Sequence, residues 1–250
     1  MQFADTVRYG LWSGIVTVAA GNQRAYKMTT TWLPHLTANT ITLLLPDIYR
    51  LLDTLSKRYD REALAVAQPR VHPHRGWQLL AVTLDAMIRD NPRYVLYVAP
   101  LAAGYLLSSP WFNIYKGKLA EKRLAGFGLD AIPHVTTAFA LTRLVCDTAD
   151  TGADLARSTG ALAACLDWCA QHHGWCSALV LSLATLVWEY GEYMIHVHEL
   201  AQRGADENIN MQWSVDDTIA DCLSNVAGWL LALAQEYRPG IPTMKPAKNV

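Results

Sequence analysis

The chain has 250 residues, 52% hydrophobic and 17% charged, with nine tryptophans and a formal net charge of −1. That length suits a single helical unit, the near-neutral balance supplies no basic field for nucleic acid, and the apolar excess exceeds ordinary soluble composition. The mean hydropathy of +0.09 is nevertheless low for a membrane protein, because the connecting segments are strongly polar.

Apolar segments fall at about 9–21, 32–52, 76–88, 92–112, 129–146, 174–197 and 214–235, with 154–170 as a doubtful eighth. The expected fold is all-α, a polytopic transmembrane bundle of about six to eight spans. Residues 1–237 are expected to form one integral membrane domain and 238–250 a flexible polar tail rich in Pro and Gly. The first apolar run is short and lacks a charged start with a small-residue cleavage site, so no cleavable signal peptide is expected. Pro46 and Pro100 lie inside apolar runs as tolerated kinks. Segments 76–88 and 92–112 read as a hairpin turning at Asp90-Asn91-Pro92.

Basic residues cluster in three places: Lys57, Arg58, Arg61, Arg70 and Arg75; Lys116, Lys118, Lys122 and Arg123; and Arg238, Lys245 and Lys248. The positive-inside rule would put all three in the cytoplasm, which requires 154–170 to cross. That crossing would separate Asp130 and His134 from the later acidic residues. The segment 147–172 carries Asp147, Asp150, Asp154, Arg157, Asp167, His172 and His173 and suits a span poorly. The favoured reading is an amphipathic detour, leaving 129–146 and 174–197 as a hairpin with an imperfect charge count.

The five cysteines include no CxxC pair. Cys165 and Cys169, one helical turn apart, are expected to be packed residues and not a thiolate site. His172-His173 and His72-x-His74 read as solvated loop residues. Trp111, Phe112, Trp175, Trp188 and Trp229 fit interfacial belts or packing. Gly126 and Gly128 are too weak a signal for phosphate binding, and Ser177, Ser182 and Ser224 lack a nucleophile elbow.

The strongest signal runs from Trp188 to Gly228. Glu189, Glu192, His196 and Glu199 recur at helical spacing, as do Asp217, Asp221 and Asn225, so each set shares one face. A carboxylate in hydrocarbon costs about 2.5–3.5 kcal/mol by insertion scales, and a stripe of them needs a buried purpose. With His134 from an upstream helix, these groups offer oxygen and nitrogen ligands of the kind helix bundles present to iron, manganese or zinc. Glu-x-x-His, the usual di-metal spelling, is absent. A metal site, a hydrogen-bonded network without chemistry, and a proton or substrate pathway all remain open.

The string Trp188-Glu189-Tyr190-Gly191-Glu192-Tyr193, followed by Asn210-Met211-Gln212 and by Asp216-Asp217-Thr218 with Asp221, resembles the bacterial YjdF-like inner-membrane proteins. Gly128-Leu129-Asp130-Ala131-Ile132-Pro133-His134 is similar to the helix start of that family. Asp221, Asn225 and Gly228 resemble the last helix of the wider VanZ-like proteins. The resemblance covers about residues 128–235 and departs at Ala131, where the pattern often has Lys, and at the insert 147–172. It implies a multi-pass bacterial inner-membrane protein, and it supplies no settled reaction.

Three functions are therefore expected in competition. As an enzyme, Glu189, Glu192, Asp217 and Asp221 would carry catalysis. A divalent metal held among His134, Glu189, Glu192, His196 and Asp217 would then act on a lipid, lipid-linked envelope or small-molecule substrate. As a proton-coupled transporter, the same groups would bind and release protons or a cation as helices rock. As a structural membrane protein, they would only pair with one another. A soluble helical protein would instead bury its apolar segments against one another.

Overall fold

The computed structural model describes residues 3–26, 32–63, 75–89, 91–124, 126–156, 160–203 and 213–236. Eight α-helices dominate these residues, so the protein is all-α. The Asn210-Met211-Gln212 turn, Asp90, His72, His74 and the tail 238–250 lie outside the described residues.

Helices α1 (Phe3–Tyr26) and α2 (Trp32–Ala63) run antiparallel. Arg8, 2% exposed, bonds Asp5 at 2.7 Å, Asp47 at 2.8 Å and the Leu43 carbonyl, while Trp12 Nε1 donates to Thr40 at 3.2 Å. A guanidinium that deep is stable only when its donors are satisfied. Pro46 has no N–H to offer the Thr42 carbonyl one turn back. The Tyr94 hydroxyl from α4 replaces it, donating to that oxygen at 2.6 Å.

Helices α3 (Arg75–Ile88) and α4 (Tyr94–Leu106) follow each other across a tight turn, but the expected hairpin of paired helices does not form: α3 packs mainly on α5, and α4 on α5 and α1. Asn91 builds the turn, its side-chain oxygen accepting from Arg93 N–H at 2.9 Å and its carbonyl from Tyr94 N–H at 3.0 Å. Ile15, Leu43, Met87, Ile88, Tyr94, Val98 and Ala102 make the core where α1 to α4 converge. Full burial of an aliphatic side chain stabilises by about 1.5–3 kcal/mol.

The segment 92–112 does not continue as one helix. After Leu106 the chain enters a short hairpin, β1 (Ser108–Ser109) against β2 (Phe112–Asn113), with Pro110 in its turn. A second hairpin, β3 (Arg123–Leu124) against β4 (Phe127–Gly128), turns at Gly126, where φ is +91°. Left-handed backbone suits glycine because it has no Cβ. Local turn chemistry of this kind is weaker in the sequence than the apolar run that hid it.

Helix α5 (Ala131–Leu155) begins at Asp130, whose carboxylate accepts from Ala131 N–H at 3.0 Å. Helix α6 (Ala161–Gln171) is followed by α7 (His173–Arg203) and α8 (Val215–Glu236). The 147–172 insert is thus the last turns of α5 plus α6, an 11-residue helix about 16 Å long at 1.5 Å per residue. His134 meets Asp221 and Arg143 meets Glu236, so α5 and α8 run parallel. Glu189 meets Thr218 and Ser177 meets Trp229, so α7 runs antiparallel to α8. The detour geometry follows: α5 and α7 are antiparallel neighbours, and their polar groups meet at one level. The Lys116–Arg123 region lies at the end bearing His134, opposite the C-terminal end of α8.

Among the described residues no helix is long and apolar enough to cross a membrane. The outer faces are nonetheless apolar. Leu179, Leu183, Leu186 and Val187 on α7, and Ile219, Leu223, Val226, Leu230 and Leu231 on α8, are all exposed.

Candidate functional site

The site forms where the start of α5 meets facing parts of α7 and α8. Glu189 and Glu192 are three residues apart on α7, as are Thr218 and Asp221 on α8, and helical spacing puts each pair on one face. Glu189, Glu192 and Asp221 each offer a carboxylate oxygen within 4.8 Å of the other two. His134 Nε2 lies 3.3 Å from Asp221 Oδ1, and Asp221 is 4% exposed.

One oxygen of Glu189 accepts from the Thr218 hydroxyl at 2.6 Å. The other, Oε1, is buried and has no hydrogen-bond partner among the described residues. An unsatisfied buried acceptor costs about 1–3 kcal/mol, more when charged, so a cation or a proton at this position would offset a real penalty.

A polar ladder holds α7 against α8 below the cluster. Asn225 donates to the Thr185 hydroxyl at 3.1 Å, and Trp229 Nε1 donates to the Ser177 hydroxyl at 3.0 Å. Gly228 lets α8 approach α5, since a Cβ there would lie 2.9 Å from Ala138 Cβ and 3.0 Å from Phe139 N. That closeness brings Asp221, two turns earlier on α8, to His134.

Aromatic groups border the acidic cluster. His35 from α2 stacks with Tyr105 at 6.0 Å between ring centroids and meets Trp188 edge-on at 5.8 Å. Tyr115, from the segment between the two hairpins, donates its hydroxyl to the Gly104 carbonyl at 3.1 Å. Desolvation, then the fields of Asp130, Glu192 and Asp221, raises its phenol above the ordinary value. Tyr115 therefore stays a neutral donor.

Two of the expected ligands lie outside the group of carboxylate oxygens within 4.8 Å of one another, although the charge of Asp217 still reaches Asp221 and Glu192. Asp217 is exposed one turn before Asp221, and its backbone N–H donates to Ser214 Oγ at 3.2 Å, a helix-capping position. His196 accepts from Trp213 N–H at 3.4 Å through Nδ1, which ties it to the chain entering α8. Both share a helical face with cluster members, and the length of the face carries them past it. Glu199, 3% exposed, lies further along α7. His198 faces Gln202 at 3.0 Å on the exposed side.

Thr218 and Tyr115 belong to the site but are not among the site residues expected from the sequence. Thr218 sits three residues before Asp221 and was available by spacing; Tyr115 had no signal, since only the hairpins bring it near. A second polar cluster at the far end was also missed. There His173 Nε2 lies 2.9 Å from Asp150, Glu236 pairs with Arg143, and Arg143 bonds Asp147 at 2.8 Å, while the Tyr97 hydroxyl donates to Asp147. His173 is thus a buried, partnered residue and not the solvated loop histidine that its neighbours suggested.

No protein-family model, curated protein or solved structure matches this chain.

Proposed function

We propose that this protein is an integral membrane protein of the bacterial inner membrane, and that Glu189, Glu192, Asp221 and His134 form an internal divalent-cation site. The observation that carries the cation site is the buried, unpartnered Glu189 Oε1 beside two further carboxylates and an imidazole. Three oxygen donors and one nitrogen suit iron, manganese or zinc in a helix bundle. Support for the membrane placement is the row of exposed aliphatic residues along α7 and α8, on the outside of helices whose polar groups turn inward. The bundle as a whole would be the inserted unit, since polar groups inside a membrane face the protein interior.

A divalent cation in this position would polarise a carbonyl or phosphoryl oxygen and favour ionisation of bound water. The chain's own residues would orient the reaction: Thr218 fixes the Glu189 carboxylate, and Asp221 and His134 hold each other in register. A site within an apolar outer layer suits a lipid or lipid-linked substrate. The resemblance to YjdF-like and VanZ-like proteins, resting on the motifs quoted above, agrees with that environment.

A proton-carrying pathway is the second reading, favoured by the direct approach of His134 to Asp221. An imidazole against a carboxylate can pass or store a proton without metal.

Elemental mass spectrometry of detergent-purified protein, beside Glu189→Gln/Asp221→Asn, separates the two. Near-stoichiometric iron, manganese or zinc that disappears in the double variant supports the cation site. Folded wild type that takes up none of these metals on titration overturns it and leaves the proton pathway. Release of the chain from membranes by alkaline carbonate would overturn the membrane placement.

A further inference from the structure

At the corner between α6 and α7, remote from the acidic site, Cys176 Sγ lies 2.7 Å from Cys169 Sγ. The two residues are seven apart and sit on different helices, with His172 ending α6 and His173 opening α7 between them. Both are half-buried, and neither is bonded to another cysteine. Bonded sulfurs lie about 2.05 Å apart, so closure requires less than about 1 Å of further approach. Cys165, one turn before Cys169, is exposed beside the pair.

The surroundings hold the corner still. His172 stacks on Trp168 at 4.7 Å between centroids, and its Nδ1 lies 2.9 Å from the Trp168 carbonyl. On the other side His173 is fixed by Asp150, and Ser177 Oγ donates to the His173 carbonyl at 2.6 Å. Gly152 of α5 accepts Leu166 of α6, where a Cβ would come within 2.7 Å of a Leu166 methyl carbon. Cys165 also lies within hydrogen-bonding reach of Cys169, but the Cys169–Cys176 approach is the one that joins two helices, and two thiols at that separation are preorganised to react with each other.

We propose that Cys169 and Cys176 form a reversible redox pair that clasps α6 to α7, with a low-molecular-weight disulfide as oxidant. One thiolate attacks a sulfur of the small disulfide, breaking its S–S bond, forming a mixed disulfide and releasing one small thiol. The second protein thiolate attacks the mixed disulfide at the protein sulfur, forming the Cys169–Cys176 bond and releasing the second small thiol. Two electrons pass from the protein sulfurs to the small disulfide, and the two protein protons end on the two released thiols. A small dithiol reductant reverses both steps. Desolvation and the shared hydrogen with Cys176 raise the Cys169 thiol above its ordinary value, so the closure rate rises with pH, as reaction through the thiolate requires.

The test is oxidation of the full-length detergent-purified protein with oxidised glutathione, followed by alkylation and chymotryptic mapping. Trypsin does not separate the three thiols, because no Lys or Arg lies between Arg157 and Arg203, whereas cleavage after Trp168 and Trp175 places Cys165, Cys169 and Cys176 in separate peptides. The expected result is loss of two of the five alkylatable thiols, with Cys169 joined to Cys176, reversed by dithiothreitol. Cys165→Ser should retain the crosslink; Cys169→Ser and Cys176→Ser should each stop at a glutathione adduct. Five alkylatable thiols in folded wild type, a crosslink joining Cys165 to either partner, or bound zinc protecting the pair would each overturn the proposal.

Discussion

Gly228 of α8 and Val135 of α5 are packed so closely that a Cβ on Gly228 would overlap the Val135 carbonyl oxygen. The residue before Val135 is His134, which approaches Asp221 two turns earlier on α8. Backbone proximity at Gly228 and side-chain proximity at Asp221 are consequences of one helix crossing.

Gly228→Ala should therefore force α8 away from α5. Overpacking at such a contact costs about 1–3 kcal/mol, and the displaced helix would lengthen the His134–Asp221 approach. Thermal unfolding in detergent should show a lower midpoint, and metal titration a weaker site. An unchanged midpoint would mean that α5 and α8 do not meet there.

Removing the Thr218 hydroxyl tests whether the Glu189 carboxylate is held for a ligand. Thr218→Val keeps the shape of the side chain and deletes the 2.6 Å bond. Loss of an outer hydrogen bond to a metal ligand lowers affinity roughly 10–100-fold. Isothermal titration with zinc or manganese should show that loss, and the metal-free variant should unfold at a lower temperature, because the buried Glu189 carboxylate then has no donor to either oxygen among the described residues. Equal affinity in the variant would remove Thr218 from the site.

Asp217 and Asp221 should separate in the same titration. Asp221→Asn should weaken cation binding by roughly the same 10–100-fold or more, because its carboxylate is among the three close oxygens. Asp217→Asn should stay near wild type, since Asp217 is exposed one turn away. A larger effect at Asp217 would return the site to the full helical stripe.

The Pro46 kink gives a stability test independent of function. Tyr94→Phe removes the donor to the Thr42 carbonyl, and a buried acceptor left alone costs about 1–3 kcal/mol. In a Pro46→Ala background, the backbone N–H regained at that position can serve the same carbonyl, so Tyr94→Phe should cost less there. A double-mutant cycle in denaturant reads that difference, and strict additivity would sink the explanation.

Arg143 joins α5 to α8 at the far end through Glu236, and also bonds Asp147. Arg143→Leu leaves the largely buried Glu236 without its cation and Asp147 with only Arg93, at 3.9 Å, among the described residues, a change worth about 3–5 kcal/mol when a buried pair is broken. Calorimetry should show a marked fall in the unfolding midpoint, partly restored by Arg143→Leu/Glu236→Leu. Absence of any fall would mean the pair is solvated.

Helical periodicity made most of the architecture legible. The segments near 9–21, 32–52, 76–88 and 174–197 fall within helices, and those near 129–146 and 214–235 begin no more than two residues before one, because a run of apolar residues at helical spacing is a local property. The two small hairpins after Leu106 were hidden, since their pairing depends on turn residues embedded in an apolar and basic stretch. Periodicity also grouped Glu189 with Glu192 and Asp217 with Asp221 correctly by face, but a face extends the length of its helix. Only the α5–α8 crossing at Gly228 and the antiparallel seating of α7 decide which turn of each face meets the others. That depth selects Asp221 over Asp217, ties His196 to Trp213, and joins Cys169 to Cys176 across a helix break. The spacing of residues along one helix is set by covalent geometry and hydrogen bonding within it; the register between helices is set by packing among residues far apart in the chain.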